Sequence, residues 1–156
     1  MEKQMDHKLK HLLHQLKGKT FPDSMRHEFG RYGDEAFDLL LFLVKNEGST
    51  EKEVSNALII MLSMCGQPCT TRSQELFDLS KSMLSNQSII VRSQAVKVFL
   101  GLISISIDSP TICKLNLADK KEINNVLVHA NKLGFHKEME EYLERWMKTY
   151  KDFLIE

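Results

Sequence analysis

No charge of either sign dominates this 156-residue chain: Lys and Arg together number 21, and so do Asp and Glu. A dedicated nucleic-acid binder normally carries a strong basic excess, so the balance argues against that class while leaving room for a local basic patch. Long apolar runs are missing too. The longest, Leu39 to Val44, is six residues, against the ~20 needed to span a bilayer. No apolar stretch follows the N-terminal lysines before Gly18, so neither a membrane span nor a signal peptide is expected. Cysteine is scarce and odd in number, at three. That excludes a paired disulfide framework and fits a reduced, cytoplasmic setting. Catalytic signatures are absent as well: the chain has no Gly-rich phosphate loop, His-Glu-x-x-His or nucleophile elbow, and none of its serines lies in a recognisable frame. The expectation is therefore not an enzyme, with no catalytic residue, metal or cofactor assigned. Runs of alternating polar and apolar residues, the mark of strands, do not occur.

What is present points to helices. Hydrophobic residues make up 42% of the chain and charged residues 27%, as in an ordinary globular protein. The length fits a single domain, 1–156, with a useful core. Gly18, Pro22, Gly30, Gly33, Gly48, Gly66, Pro68, Pro110 and Gly134 fall between apolar-periodic segments, and Gly101 alone sits inside one. Gly adopts positive φ cheaply and Pro lacks a donor, so both punctuate helices. The pattern predicts seven or eight helices, at 4–17, 23–30, 33–46, 50–65, 71–85, 88–106, 119–133 and 136–153, with 107–116 the longest loop. Asp23 or Ser24 is a candidate cap. Ser49/Thr50 with Glu53 reads as a capping box, and Asp119 with Glu122 as another. Residues 36–44, 57–62 and 95–103 are apolar nearly all round and are expected to be central. Residues 71–85 keep a polar face of Gln74, Asp78, Lys81, Ser82 and Ser85. The last helix has one stripe, Met139, Tyr142, Leu143, Trp146, Met147 and Tyr150, and should cap the array.

The helices are also related to one another. Val91-Arg92-Ser93-Gln94-Ala95-Val96-Lys97-Val98-Phe99-Leu100 has a partial copy thirty-eight positions upstream, Glu53-Val54-Ser55-Asn56-Ala57-Leu58-Ile59-Ile60-Met61-Leu62. Ahead of each copy, Phe37-Asp38-Leu39 matches Phe77-Asp78-Leu79 at a spacing of forty. A period near forty with two helices per unit is the signature of stacked helical repeats. The Val91-Arg92-x-x-Ala95-x-x-x-x-Leu100 pattern resembles the second helix of a HEAT-type repeat. The resemblance is clearest over 70–106, partial over 33–65, where Glu53-Val54 stands in place of the Val-Arg pair, and faint elsewhere. It implies an all-α fold: a short right-handed α-solenoid of HEAT-like antiparallel helix pairs, used as a binding scaffold and without a catalytic residue. It also implies that Arg92 ties down loop acids, with Asp78 or Asp108 as partner.

Other clusters weigh less. His7, His11 and His14 share one helical face, but no nearby carboxylate completes a metal site, and the lysines beside them make a solvated face the simpler reading. Cys65-x-x-x-Cys69 brackets a turn. Two thiols fall short of the four zinc ligands, and Cys113 is distant. Glu138, Glu140, Glu141 and Glu144 form an acidic face whose pairs Glu141–Arg145 and Glu144–Lys148 stand in the favourable i,i+4 order. Residues 1–20 carry five lysines against Glu2 and Asp6, a net +3.

These features favour a non-enzymatic protein-binding module. Its groove would be lined by Lys52, Asn56, Ser93 and Lys97 on the second helix of each pair, with the acidic surface of Glu138, Glu140, Glu141 and Glu144 as the rival. The chain opens on Met and has no room for a second domain, so action on one protein partner is expected. Size and style suit a small bacterial inhibitor or immunity protein that blocks a toxin. A nucleic-acid-binding HEAT-like protein ranks second and an enzyme third.

Overall fold

The computed structural model describes residues 2–18, 23–67, 70–117 and 120–155, with the backbone alone for 2–6, 23, 154 and 155. Every regular element among them is a helix: α1 (Glu2–Gln15), α2 (Asp23–Gly30), α3 (Gly33–Lys45), α4 (Glu51–Gly66), α5 (Ser73–Met83), α6 (Ile89–Asp108), α7 (Lys120–Leu133), α8 (Lys137–Thr149) and α9 (Lys151–Ile155). The first seven follow the periodicity read from the sequence. The expected last helix breaks at Tyr150, which leaves helical backbone (φ −108°, ψ 25°). Asp119, expected to cap α7, lies outside the described residues, as does Pro22 before α2. Asp23 and Ser24 open α2 from within its first turn.

Local chemistry sets the boundaries. Thr50 caps α4 as expected: its Oγ1 accepts from Glu53 N at 3.1 Å, and Glu53 Oε1 accepts from Thr50 N at 3.1 Å. Two orphan donors at the helix start are thereby satisfied reciprocally. Ser88 caps α6 by accepting from Val91 N. Gly33 (φ 53°), the first residue of α3, and Gly134 (φ 88°), just after α7, take the left-handed conformation, where a Cβ would strain the backbone.

The helices pack in two files, and the register of the second file can be read from its contacts. Gln94 Nε2 donates to Ser55 O; a Cβ on Gly101 would meet Leu62 at 3.1 Å, and one on Gly66 would meet Ile105 at 3.5 Å. Each pair is 39 residues apart, so α4 and α6 run parallel and in step. The same holds one unit on. His136 N donates to Ser93 Oγ, Trp146 Nε1 to Ser104 Oγ at 2.8 Å, and Tyr150 Oη to Asp108 Oδ2, at separations of 43, 42 and 42. α4, α6 and α8 are thus successive rungs. Ala57 and Ala95, the small residues shared by the two sequence copies, are both fully buried, as close helix approach requires. Gly101 is the mid-helix glycine because Leu62 occupies the space over it.

The core runs between the files. Phe29, Phe37, Phe99, Leu40, Leu58, Ile60 and Leu76 are fully buried, and Phe77 stacks on Phe99 at 4.8 Å. α6 is long and apolar enough, at mean hydropathy 1.6, to cross a membrane by length and composition. Its neighbours α4, α5 and α8 account for that apolarity by covering it. Segments 57–62 and 95–103 are central as expected. Segment 36–44 is not: Phe42 is 69% exposed and Leu39, Leu41 and Leu43 are half-buried. α3 is covered by α4 and α2 on one side only, so its all-round apolarity does not correspond to all-round burial.

Candidate functional site

The four polar positions expected to line a groove part company. Lys52 and Lys97 are exposed, and neither pairs with a described residue. The 39-residue register sets Lys97 opposite Leu58, six residues beyond Lys52, so the two ammonium stems rise about 9 Å apart along the helix axes. Around them the open face of α4 and α6 carries Ser63, Gly66, Gly101 and Ser104, all half-buried. Gly101 lies under Leu62, Gly66 lies beside Ile105, and Ser104 Oγ accepts from Trp146 Nε1. Asn56 has a task within the chain: its Nδ2 donates to Leu16 O at 2.8 Å and Gly18 O at 3.4 Å, holding the end of α1 to α4. Ser93 is buried at 5% exposure, beneath the turn that starts α8, so it does not line an open groove.

Arg92 is the second correction. It is 7% exposed and its guanidinium meets no acid. Nε donates to Gly134 O at 2.9 Å, Nη2 to Leu133 O at 3.1 Å, and Nη1 to Asn86 O at 2.8 Å and Gln87 O at 3.2 Å. Four carbonyls from the turns before α6 and after α7 are gathered by one cation. Asp78 and Asp108, the acids expected beside it, go elsewhere: Asp78 accepts from Gln74 Nε2, and Asp108 from Tyr150 Oη. A planar five-donor fork suits diverging carbonyls as well as it suits a carboxylate, which is why sequence alone pointed to the wrong acceptor.

The rival acidic face is real. Glu138, Glu140, Glu141 and Glu144 are all exposed on α8, opposite the buried Leu143 and Trp146. Glu144 pairs with Lys148 at 3.8 Å, while among the described residues no ion pair joins Glu141 to Arg145. The earlier metal and thiol candidates are dispersed. Gln15 Nε2 donates to His11 Nε2, and no three His, Cys, Asp or Glu side chains converge among the described residues. Cys65 and Cys113 are both buried. Burial pushes the Cys113 thiol above its ordinary pKa, the opposite of what a reactive thiolate needs. Cys69 lies outside the described residues.

Two features of the first file had no clear sequence signal. At the α3–α5 junction, Arg72 donates through Nε and Nη2 to both oxygens of Glu75 (2.9 and 2.8 Å), through Nη1 to Asp38, and lies 4.6 Å over the Phe37 ring. The bidentate hydrogen bonds from Arg72 hold the Glu75 carboxyl below the usual glutamate range and lift the guanidinium above its ordinary value. At the α5–α7 junction there is instead an open cleft. One part, about 590 Å³, has Leu84 and Val126 among its walls; the other, about 370 Å³, is lined by Gln74, Phe77, Asn116 and Leu117. Asp78, Lys81 and Glu122 border both, and the Lys81–Glu122 ion pair bridges the gap.

No protein-family model matches the chain, and neither a curated protein nor a solved structure matches it.

Proposed function

We propose that this chain is a right-handed HEAT-like solenoid acting as a non-enzymatic protein-binding module, and that the open face of α4 and α6 receives an acidic surface of its partner. The observation that carries the reading is the in-step, parallel packing of α4, α6 and α8. It makes one surface continuous across units, as repeat scaffolds use it. Among the described residues, Lys52 and Lys97 are exposed cations on that face with no ion-pair partner. Cationic side chains with no internal partner favour an acidic docking surface, and set its on-rate and register more than its affinity.

Interface energy concentrates in few residues. Charge reversal at Lys52 and Lys97 together weakens binding to a partner co-purified from the native source by about tenfold or more, an ion-pair loss of on the order of 1.4 kcal/mol, with the fold unchanged because both are exposed. Reversal of Glu140, Glu141 and Glu144 leaves that affinity unaltered. Loss of binding in the glutamate variant alone would move the interface to α8 and end this reading.

A further inference from the structure

Charge of one sign covers the outward side of α1. From His7 to Gly18 the chain holds Lys8, Lys10, Lys17 and three histidines, and no Asp or Glu. The two acids of α1, Glu2 and Asp6, come before this stretch. All six basic residues are exposed, while Leu9 and Leu16 are fully buried and Leu12 and Leu13 half-buried. His7, Lys10, His14 and Lys17 follow one another at three- and four-residue spacing. They therefore form one row, about 15 Å long at 1.5 Å per residue, with Lys8 and His11 beside it. Among the described residues no ion pair takes up any of the three lysines. The face is also held in place: Asn56 donates from α4 to Leu16 O and Gly18 O, across the end of the row. Elsewhere the sign changes. Residues 1–20 carry +3 and the whole chain zero, so residues 21–156 carry −3.

We propose that this row is a contact for the phosphate backbone of a nucleic-acid duplex, made without regard to base sequence. What the face lacks separates the duplex from other anionic partners. A membrane surface takes up an amphipathic helix through its apolar side, and here that side is committed to the core at Leu9 and Leu16. The centre of a protein interface is built on aromatics, Met and Arg, and is poor in Lys. The exposed residues from 7 to 17 are Lys, His and Gln alone. A single strand is gripped by stacking its bases on aromatic side chains, and no Phe, Tyr or Trp stands on this face. Duplex phosphates ask only for cations and N–H donors. The lysines supply the first, and the rings of His7 and His14 the second. A duplex offers one phosphate per ~1.7 Å of axis, about nine along the row, so many registers are equivalent. The acidic remainder of the chain repels the same backbone and leaves α1 as the side of approach. The site is separate from the α4–α6 face, and stands whether or not that face binds a protein.

The probe is a short labelled DNA duplex of mixed sequence, titrated with the full chain at low salt. Beside it stand its single strand, polyglutamate, and vesicles containing phosphatidylserine. The duplex is expected to bind saturably, with amide shifts largest between His7 and Gly18, and a duplex of shuffled sequence to bind equally. Three lysine contacts give a slope of log K against log salt of about −3. Lys8→Gln, Lys10→Gln and Lys17→Gln each reduce that slope by about one. The triple variant loses about tenfold or more in affinity at low salt, with circular dichroism and melting temperature unchanged because all three side chains are exposed. Lys97→Gln, on the α4–α6 face, leaves duplex binding as it was. No duplex binding at low salt, or a triple variant that keeps the parent's affinity and slope, would overturn the proposal. So would single strand, polyglutamate or vesicles bound as tightly as the duplex, each of which would assign the row to that class of partner instead.

Discussion

Arg92 shows how one side chain can do the work of a loop's own hydrogen bonds. Its four acceptors are backbone carbonyls from two turns, and at 7% exposure no water replaces it. Arg92→Met keeps much of the stem's packing but leaves those carbonyls unpaired, so urea denaturation should register a loss of about 2–4 kcal/mol. Arg92→Lys restores charge without the fork and should recover only part of it. Loss below about 0.5 kcal/mol would mean that the turns hold themselves, as a surface substitution would show. Glu75 gives a pH-dependent counterpart. Its folded pKa is depressed by Arg72, so its contribution is complete above the ordinary glutamate range and is lost as pH falls through the depressed value. The melting-temperature gap between the parent and Glu75→Gln should therefore be constant near neutrality and close as the solution is acidified below the ordinary glutamate range. A gap that widens in acid would reverse the assignment. Because half of the Glu75 side chain is exposed, the gap should be small and shrink with salt.

At the scale of the helix, Gly101 decides how closely α4 and α6 approach. A Cβ there lies 3.1 Å from Leu62. Leu62 is half-buried and can yield a few tenths of an ångström, and alanine gains about 1 kcal/mol of helix propensity over glycine. The two effects nearly cancel, so Gly101→Ala should be close to neutral. Gly101→Val adds two methyls with nowhere to go and should cost about 1–3 kcal/mol by overpacking. Thermal melts of the pair distinguish this from a glycine retained only for flexibility, where both would stabilise. The helices themselves were legible in the sequence, since their apolar periodicity and the Thr50–Glu53 box are local. What was not legible is what lies across a gap. Phe42 belongs to a run as apolar as any in the chain and is still exposed. Ser93 and Asn56 read as surface polar residues, and each is taken up by a neighbouring turn. The Arg72 cluster and the α5–α7 cleft depend on where residues 70–72 and 109–117 lie against α5, and no periodicity encodes that.

Across the whole molecule, cohesion is uneven. α4 and α6 share the most extensive interface, while α8 reaches α6 through a few bonds and the burial of Leu143 and Trp146. Trp146 is the chain's single tryptophan, so its fluorescence reports the docking of α8 alone. In urea, the indole signal should shift at lower denaturant than the far-ultraviolet circular dichroism, because the terminal unit has one neighbour where the central units have two. Coincident transitions would show a single cooperative block.

The bonds that join successive units span 34 to 43 residues, from Arg72–Asp38 to His136–Ser93. Each unit thus needs only the one made just before it. During synthesis, α5 and α6 can dock on α3 and α4 as soon as they clear the ribosome, without waiting for α7 to α9. A chain knitted in this way closes no long loop late in folding, so it should fold quickly for its size, and the last unit added is also the first that can be released.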